Sequence, residues 1–172
     1  MSDPGKTNRL PKCVDPRKLA AQGVQLQGSV PTAEMDRLLS AVVSARQAAE
    51  VNLLFSQDEA HRTLIEGRFL LDVDMECQRC LQPVTQALSG ELRLGVVWDE
   101  ERAAVLPKNL DPLVVNDDSV DLYALLEDEI LLALPIVAYH EESQCQRSGS
   151  YSTGEVEESR ENPFSILAQL KK

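Results

Sequence analysis

Cys77 and Cys80 stand in the stretch ECQRCLQP, Glu76 to Pro83, with two residues between them. A lone Cys-x-x-Cys pair is half of a zinc site, a redox pair, or two thiols packed into a turn. Zinc requires four ligands, and the chain offers a second pair, His140 and Cys145, in the spacing H-x₄-C. Together these residues would form a closed Cys₃His site of the structural kind. About sixty residues separate the two pairs, so only the fold can bring them together. Redox use normally places the first cysteine at a helix N-terminus after a strand, where the helix dipole lowers its pKa. The flanking sequence predicts instead a hairpin turn with a strand on each side, which disfavours thioredoxin-like chemistry. Zinc ligation and simple packing of the turn both remain as readings, so the expected cofactor is Zn²⁺ or none.

Other chemistry is poorly represented. The chain has no Gly-rich phosphate loop, no His-Glu-x-x-His and no Ser/His/Asp order. No basic patch interleaved with aromatics of the type that stacks on single strands is visible in the sequence. The sequence therefore predicts a protein that is not an enzyme. Cys13 and His61 are isolated and read as bystanders.

The elements that must position the cysteines are legible on either side. Ile65, Phe69, Leu71, Val73 and Met75 alternate with Glu66, Arg68, Asp72, Asp74 and Glu76. Beyond the cysteines, Val84, Leu88, Leu92, Leu94, Val96 and Trp98 occupy even positions. Period-two alternation of this length predicts an antiparallel hairpin over about 62–98 with one solvated face and the Cys-x-x-Cys at its tip. Shorter strands are expected around Val24–Val30 and Val51–Phe55, with a turn at Gln57–His61. A short edge strand is expected at Leu113–Val115, after a loop over Asp99–Pro112. Met35, Leu38, Leu39, Val42 and Arg46 recur at helical spacing, predicting a helix over 33–46 with Thr32 as its cap. Leu122, Leu125, Leu126, Ile130 and Ala133 predict a second helix over 120–134, capped by Asp121 or Ser119 and stopped at Leu134-Pro135. Its residues Glu127, Asp128 and Glu129 point about 100° apart from one another, which favours a solvated acidic face over a metal site.

These elements make an α+β fold: an antiparallel sheet organised on the hairpin, packed by two main helices, with a short C-terminal helix. Residues 1–20 read as a basic mobile arm, 21–145 as a single domain and 146–161 as a disordered linker rich in Ser, Glu and Gly. Residues 162–172 read as an amphipathic helix with Phe164, Ile166, Leu167 and Leu170 on one side. Isolated helices of that length are marginal in water, so this one needs a surface to dock on, in its own body or on a partner.

Charge is distributed unevenly. The net charge is −11, yet residues 1–20 carry five basic and two acidic groups, whereas 91–140 carry three and eleven. Such a body repels a phosphate backbone unless charge is locally segregated, and favours basic proteins as partners. The chain has no run of about 18 apolar residues and no apolar signal core, so a cytoplasmic protein without membrane contact is expected.

Three segments resemble the bacterial YceD family of large ribosomal RNA subunit accumulation proteins. They are DVDMECQRCLQPV (Asp72–Val84), VDLYALLEDEILLALPIVAYHEESQC (Val120–Cys145) and NPFSILAQLKK (Asn162–Lys172). The resemblance implies a role in synthesis, processing or accumulation of 23S ribosomal RNA, and so of the large subunit. With the acidic body, the expectation is a non-enzymatic biogenesis factor in contact with the pre-50S particle, ribosomal proteins or assembly factors. It carries Cys77, Cys80, His140 and Cys145 as family-like positions, and Glu127, Asp128 and Glu129 as the acidic helix motif. The competing expectation is a direct RNA-binding or RNA-processing protein whose zinc knuckle presents Arg79 and Gln78 to RNA. Oligomeric state is not legible. Phe164, Leu167 and Leu170 of the tail are further candidate partner contacts.

Overall fold

A computed structural model describes residues 8–45 and 48–145 of the chain. In order they form β1 (Cys13–Val14), α1 (Pro16–Ala21), β2 (Gln25–Val30), a 3₁₀ turn (Thr32–Glu34), α2 (Asp36–Ala41), β3 (Ser44–Ala45) and β4 (Ala49–Gln57). The hairpin strands β5 (Thr63–Glu76) and β6 (Pro83–Val97) follow, then α3 (Glu100–Ala104), β7 (Asp111–Val114), β8 (Val120–Asp121) and α4 (Leu122–Ala133). The architecture is α+β, as the alternation and helical stripes predict.

The main sheet runs β2-β4-β5-β6-β7, with β3 pairing the far part of β5. All pairs are antiparallel except β6 with β7. The hairpin register is continuous from Leu64 opposite Gly95 to Glu76 opposite Pro83. Ile65, Phe69, Leu71 and Val73 of β5 are buried with Leu88, Leu92, Leu94 and Val96 of β6. Leu122, Leu126 and Ile130 of α4, four residues apart, join the same core and are wholly inaccessible. Asp121 caps α4 by accepting from the N–H groups of Tyr123 (2.9 Å) and Ala124 (3.1 Å).

The first expected helix is shorter than its stripe. Met35 leaves helical geometry (φ −114°, ψ 75°) and divides the 3₁₀ turn from α2. Val42 is extended, and Ser44–Ala45 pairs with Val73–Asp74 instead of continuing the helix. β-branched residues at 42 and 43 favour the strand once a sheet edge is available. Thr32 does not cap by its side chain, since no side-chain cap bond forms at this turn. Arg46 lies outside the described residues.

Residues 8–20, read as part of a mobile arm, are packed. Arg9 bridges Ser29, β1 pairs with β8, and α1 is capped by Asp15. The Tyr123 hydroxyl donates to the Leu10 carbonyl (2.8 Å) and accepts from Arg9 Nε (3.0 Å). Gly28 permits this crossing, because a Cβ there would stand 2.0 Å from the Asn8 carbonyl oxygen. The 99–112 loop carries α3, started by Asp99, and the expected edge strand forms as β7. No helix among the described residues is long and apolar enough to cross a membrane. The expected linker 146–161 and C-terminal helix, including Phe164, Leu167 and Leu170, lie outside the described residues, as do residues 1–7.

Candidate metal centre

The hairpin does not close with a tight turn. Cys77 N–H donates to the Gln82 carbonyl (3.0 Å) and Leu81 N–H donates to the Cys77 carbonyl (2.9 Å). The chain returns into β6 through Leu81 at φ 59°, a left-handed conformation that a branched side chain adopts only at a cost. This folds the Cys-x-x-Cys into a knuckle in which Cys77 is buried and Arg79 exposed.

The second ligand pair arrives from α4. Leu134 adopts extended geometry (φ −63°, ψ 132°) before Pro135 and ends the helix. The chain then runs beside the knuckle, where Ala138 bridges Cys77 in parallel and its carbonyl accepts from Gln78 N–H (3.0 Å). A turn in which Cys145 N–H donates to the Glu141 carbonyl (3.1 Å) folds Cys145 back. The fold thus brings Cys77, Cys80, His140 and Cys145 together, with one ligand atom from each and all of these atoms within 4.8 Å of one another.

The distances suit a tetrahedral ion. Cys77 Sγ and Cys145 Sγ are 3.9 Å apart, and Cys80 Sγ is 3.3 Å from His140 Nδ1. Zinc–sulfur bonds of about 2.3 Å at tetrahedral angles place sulfurs about 3.8 Å apart. All described cysteines are free. His140 Nε2 lies 3.1 Å from the Pro83 carbonyl. Donation of Nε2–H to that carbonyl fixes the tautomer and turns the Nδ1 lone pair toward the sulfurs, the usual outer support of a metal-binding histidine. The donor set is soft thiolate plus imidazole, which suits zinc.

The electrostatics prepare the same atoms. Burial pushes the Cys77 thiol up, but hydrogen bonds from the backbone of His140, Arg79 and Cys80, and from the His140 side chain, outweigh it. The net result is a value of about 5 against an ordinary 9.0. Burial and hydrogen bonding to Cys80 and Cys77 push the Cys145 thiol up. A thiol held low would also serve a redox pair, but the Cys77 sulfur is buried and lies among three other ligand atoms rather than open to a partner. Apolar packing here is slight. A satellite cluster of Cys77, Val84 and Ala138 is all that is buried between the knuckle and the 136–145 segment.

The other sequence candidates are scattered. Arg79 stacks over the Tyr139 ring at 4.8 Å on the outside of the knuckle. Asp128 is exposed and Glu129 is partly covered, where burial and the nearby Asp111 and Asp128 push its carboxyl up. Glu127 departs from the expected solvated face, being only 7% exposed. Its carboxylate accepts from the N–H groups of Arg37 (2.7 Å) and Leu38 (3.0 Å), satisfying the start of α2. Arg37 binds Glu127 and Asp128 with its guanidinium. No local spacing signals a pair so distant in the chain.

The family model for the large ribosomal RNA subunit accumulation protein YceD matches residues 65–171. A curated protein of Haemophilus influenzae with that same name is 34% identical over 168 residues, covering 95% of this chain and 97% of the relative. The chain belongs to the YceD family. The YceD match takes in both ligand pairs, the knuckle and α4. No solved structure matches the chain.

Proposed function

We propose that the chain is a non-enzymatic biogenesis factor of the large ribosomal subunit, needed for synthesis, processing or accumulation of 23S ribosomal RNA. We further propose that Cys77, Cys80, His140 and Cys145 hold one structural Zn²⁺. The observation that carries the role is likeness along 95% of the chain to a relative named for large ribosomal RNA subunit accumulation. A four-ligand protein site leaves no open position for a substrate or an activated water, which supports a structural metal over a catalytic one. The ion would clamp the 136–145 segment to the hairpin tip, where apolar packing alone is thin.

In this reading the protein works in the cytoplasm on pre-50S particles, through ribosomal proteins or assembly factors. Arg79, Asp128 and Glu129 are its partner-facing candidates; Glu127 is occupied inside the fold. RNA recognition by the knuckle itself is less favoured, because Arg79 is accompanied there by exposed Glu76, Glu141 and Glu142.

Sucrose-gradient fractionation of growing cells tests the role: the protein is expected in pre-50S fractions, and absence from all of them overturns it. Metal analysis tests the site separately. One zinc per chain, lost in Cys77→Ser, is expected; no zinc in the purified protein removes the metal and leaves the role standing.

A further inference from the structure

We propose that a cavity at the opposite end of the hairpin from the metal centre binds a nucleotide, its base against the stacked pair of Arg17 and Trp98 and its phosphate on Arg62 and Arg102. The cavity has a volume of about 370 Å³ and opens beside the start of β5 and the end of β6. Arg17 from α1, His61 and Arg62 from the β4–β5 turn, and Arg102 from α3 line it together with Trp98 and Leu106. No carboxylate lines it among the described residues. In a chain of net charge −11, the lining gathers three arginines whose paired carboxylates, Asp118, Asp58 and Asp99, stand outside it.

The arginines are held in place from outside the cavity. Asp58 accepts from Ala60 N–H (2.9 Å), Arg62 N–H (2.9 Å) and Arg62 Nε (2.6 Å), which fixes the turn and the guanidinium at once. Arg17 Nη2 pairs with Asp118 at 3.1 Å and Arg102 Nε with Asp99 at 3.4 Å. A guanidinium carries five N–H donors in a planar fork, so a carboxylate on one side leaves geometry for a phosphate on the other. His61 adopts φ 58° at the cavity, a conformation rare for a non-glycine residue and one that clusters at binding sites.

The apolar part selects the rest of the ligand. The Arg17 guanidinium stacks 3.7 Å from the Trp98 ring centre, and Val96 and Val97 of β6 with Val105 and Leu106 just after α3 complete the wall. Guanidinium planes and aromatic rings are the surfaces on which unpaired bases stack. A simple inorganic anion would use the arginines and ignore Trp98, and a purely apolar ligand would cover the N–H donors that the aspartates leave free. A nucleotide satisfies both halves. The inference rests on the ribosomal RNA reading only for where the nucleotide comes from, a single strand or the free pool.

Trp98 is the single tryptophan of the chain, so its emission reports this site alone. The full-length protein is titrated with uridine monophosphate, with a short oligouridylate and with polyglutamate at about 50 mM salt, and the strand is repeated at about 200 mM. Saturable quenching by the nucleotide or the strand is expected, with strand binding weakened about tenfold or more at the higher salt. Quenching by the strand alone assigns the site to RNA; quenching by the monophosphate alone assigns it to free nucleotides. Arg102→Glu should weaken binding at least tenfold while the thermal midpoint by circular dichroism and the zinc content hold. Should that variant unfold, Arg102→Gln is measured in its place with the same expectation. Unchanged emission with both nucleotide ligands at low salt overturns the proposal, as does polyglutamate quenching equal to that of the strand, which would mark a site for acidic protein segments. Co-sedimentation with pre-50S particles despite unchanged emission would sink this inference and leave the biogenesis role intact.

Discussion

Arg37 and Glu127, 90 residues apart in the chain, are joined at the backbone as well as the side chain. The Glu127 carboxylate accepts from the Arg37 N–H at 2.7 Å and from its Nε at 2.9 Å. A carboxylate from α4 thereby supplies the cap that α2 lacks locally, and ties a short helix to the long one.

The pair has a pH signature. Burial pushes the Glu127 carboxyl up, but the hydrogen bonds from Leu38 and Arg37 prevail and hold it below its ordinary 4.5. A depressed carboxyl contributes stability that is fully present above its unfolded value and is lost as pH falls through its lower folded value. Glu127→Gln should cost about 1.5–3 kcal/mol at neutral pH, the range for hydrogen bonds to a charged group. The gap from the unsubstituted protein should shrink as pH is taken below the ordinary value. Urea midpoints across the acid range check this; a gap of constant size would refute the linkage.

The proposed zinc site should govern a local unit. With little apolar burial of its own, the 136–145 segment is expected to loosen when zinc is chelated, while the sheet and α4 stay closed. Amide exchange is the measurement. The N–H groups of Gln78 and Cys145 should exchange at least about tenfold faster, equivalent to ~1.4 kcal/mol, and that of Ile130 at its former rate. Equal acceleration at all three positions would mean that the ion holds the whole domain.

Leu81 pays locally for the knuckle geometry. At φ 59° a glycine carries no steric penalty, although it adds unfolded-chain entropy. Leu81→Gly is expected to be neutral or to stabilise by up to about 1 kcal/mol, and Leu81→Val to destabilise by a similar amount or more. Because Leu81 is exposed, little packing is lost in either case. Thermal denaturation of the two variants gives the order, and Gly ranking below Val would contradict it.

Gly28 should matter to the N-terminal segment more than to the sheet. The Asn8 carbonyl occupies the space a Cβ would need, and backbone cannot move aside as a flexible side chain can. Gly28→Ala is expected to release residues 8–14 while β2 stays paired with β4, at a cost of about 1–3 kcal/mol. Limited proteolysis would show new cleavage in that segment; an uncut segment would count against the account.

The hairpin and α4 were readable because their information is local. Alternation at period two from Ile65 to Met75 and from Val84 to Trp98 admits one buried face, and Leu122, Leu126 and Ile130 with Asp121 in front admit one helix. The first helix is shorter than its spacing predicts, since Met35 to Val42 fits helical periodicity and nothing nearby announces that Ser44–Ala45 will pair with β5. The 8–20 segment looked free because its anchors, Tyr123 and the space over Gly28, belong to other parts of the chain.

The two cysteine-containing pairs were visible as residue types and spacings, and so was the family they resemble. Their convergence was not, because about sixty residues of strand, loop and helix intervene, and closure over such a distance depends on topology. The same holds for Arg17, Arg62 and Arg102, which are unremarkable singly and face one cavity only once α1, the start of β5 and α3 are placed. Periodicity and capping act over a few residues and are written in the chain; which distant side chains share a site is set by how the elements pack.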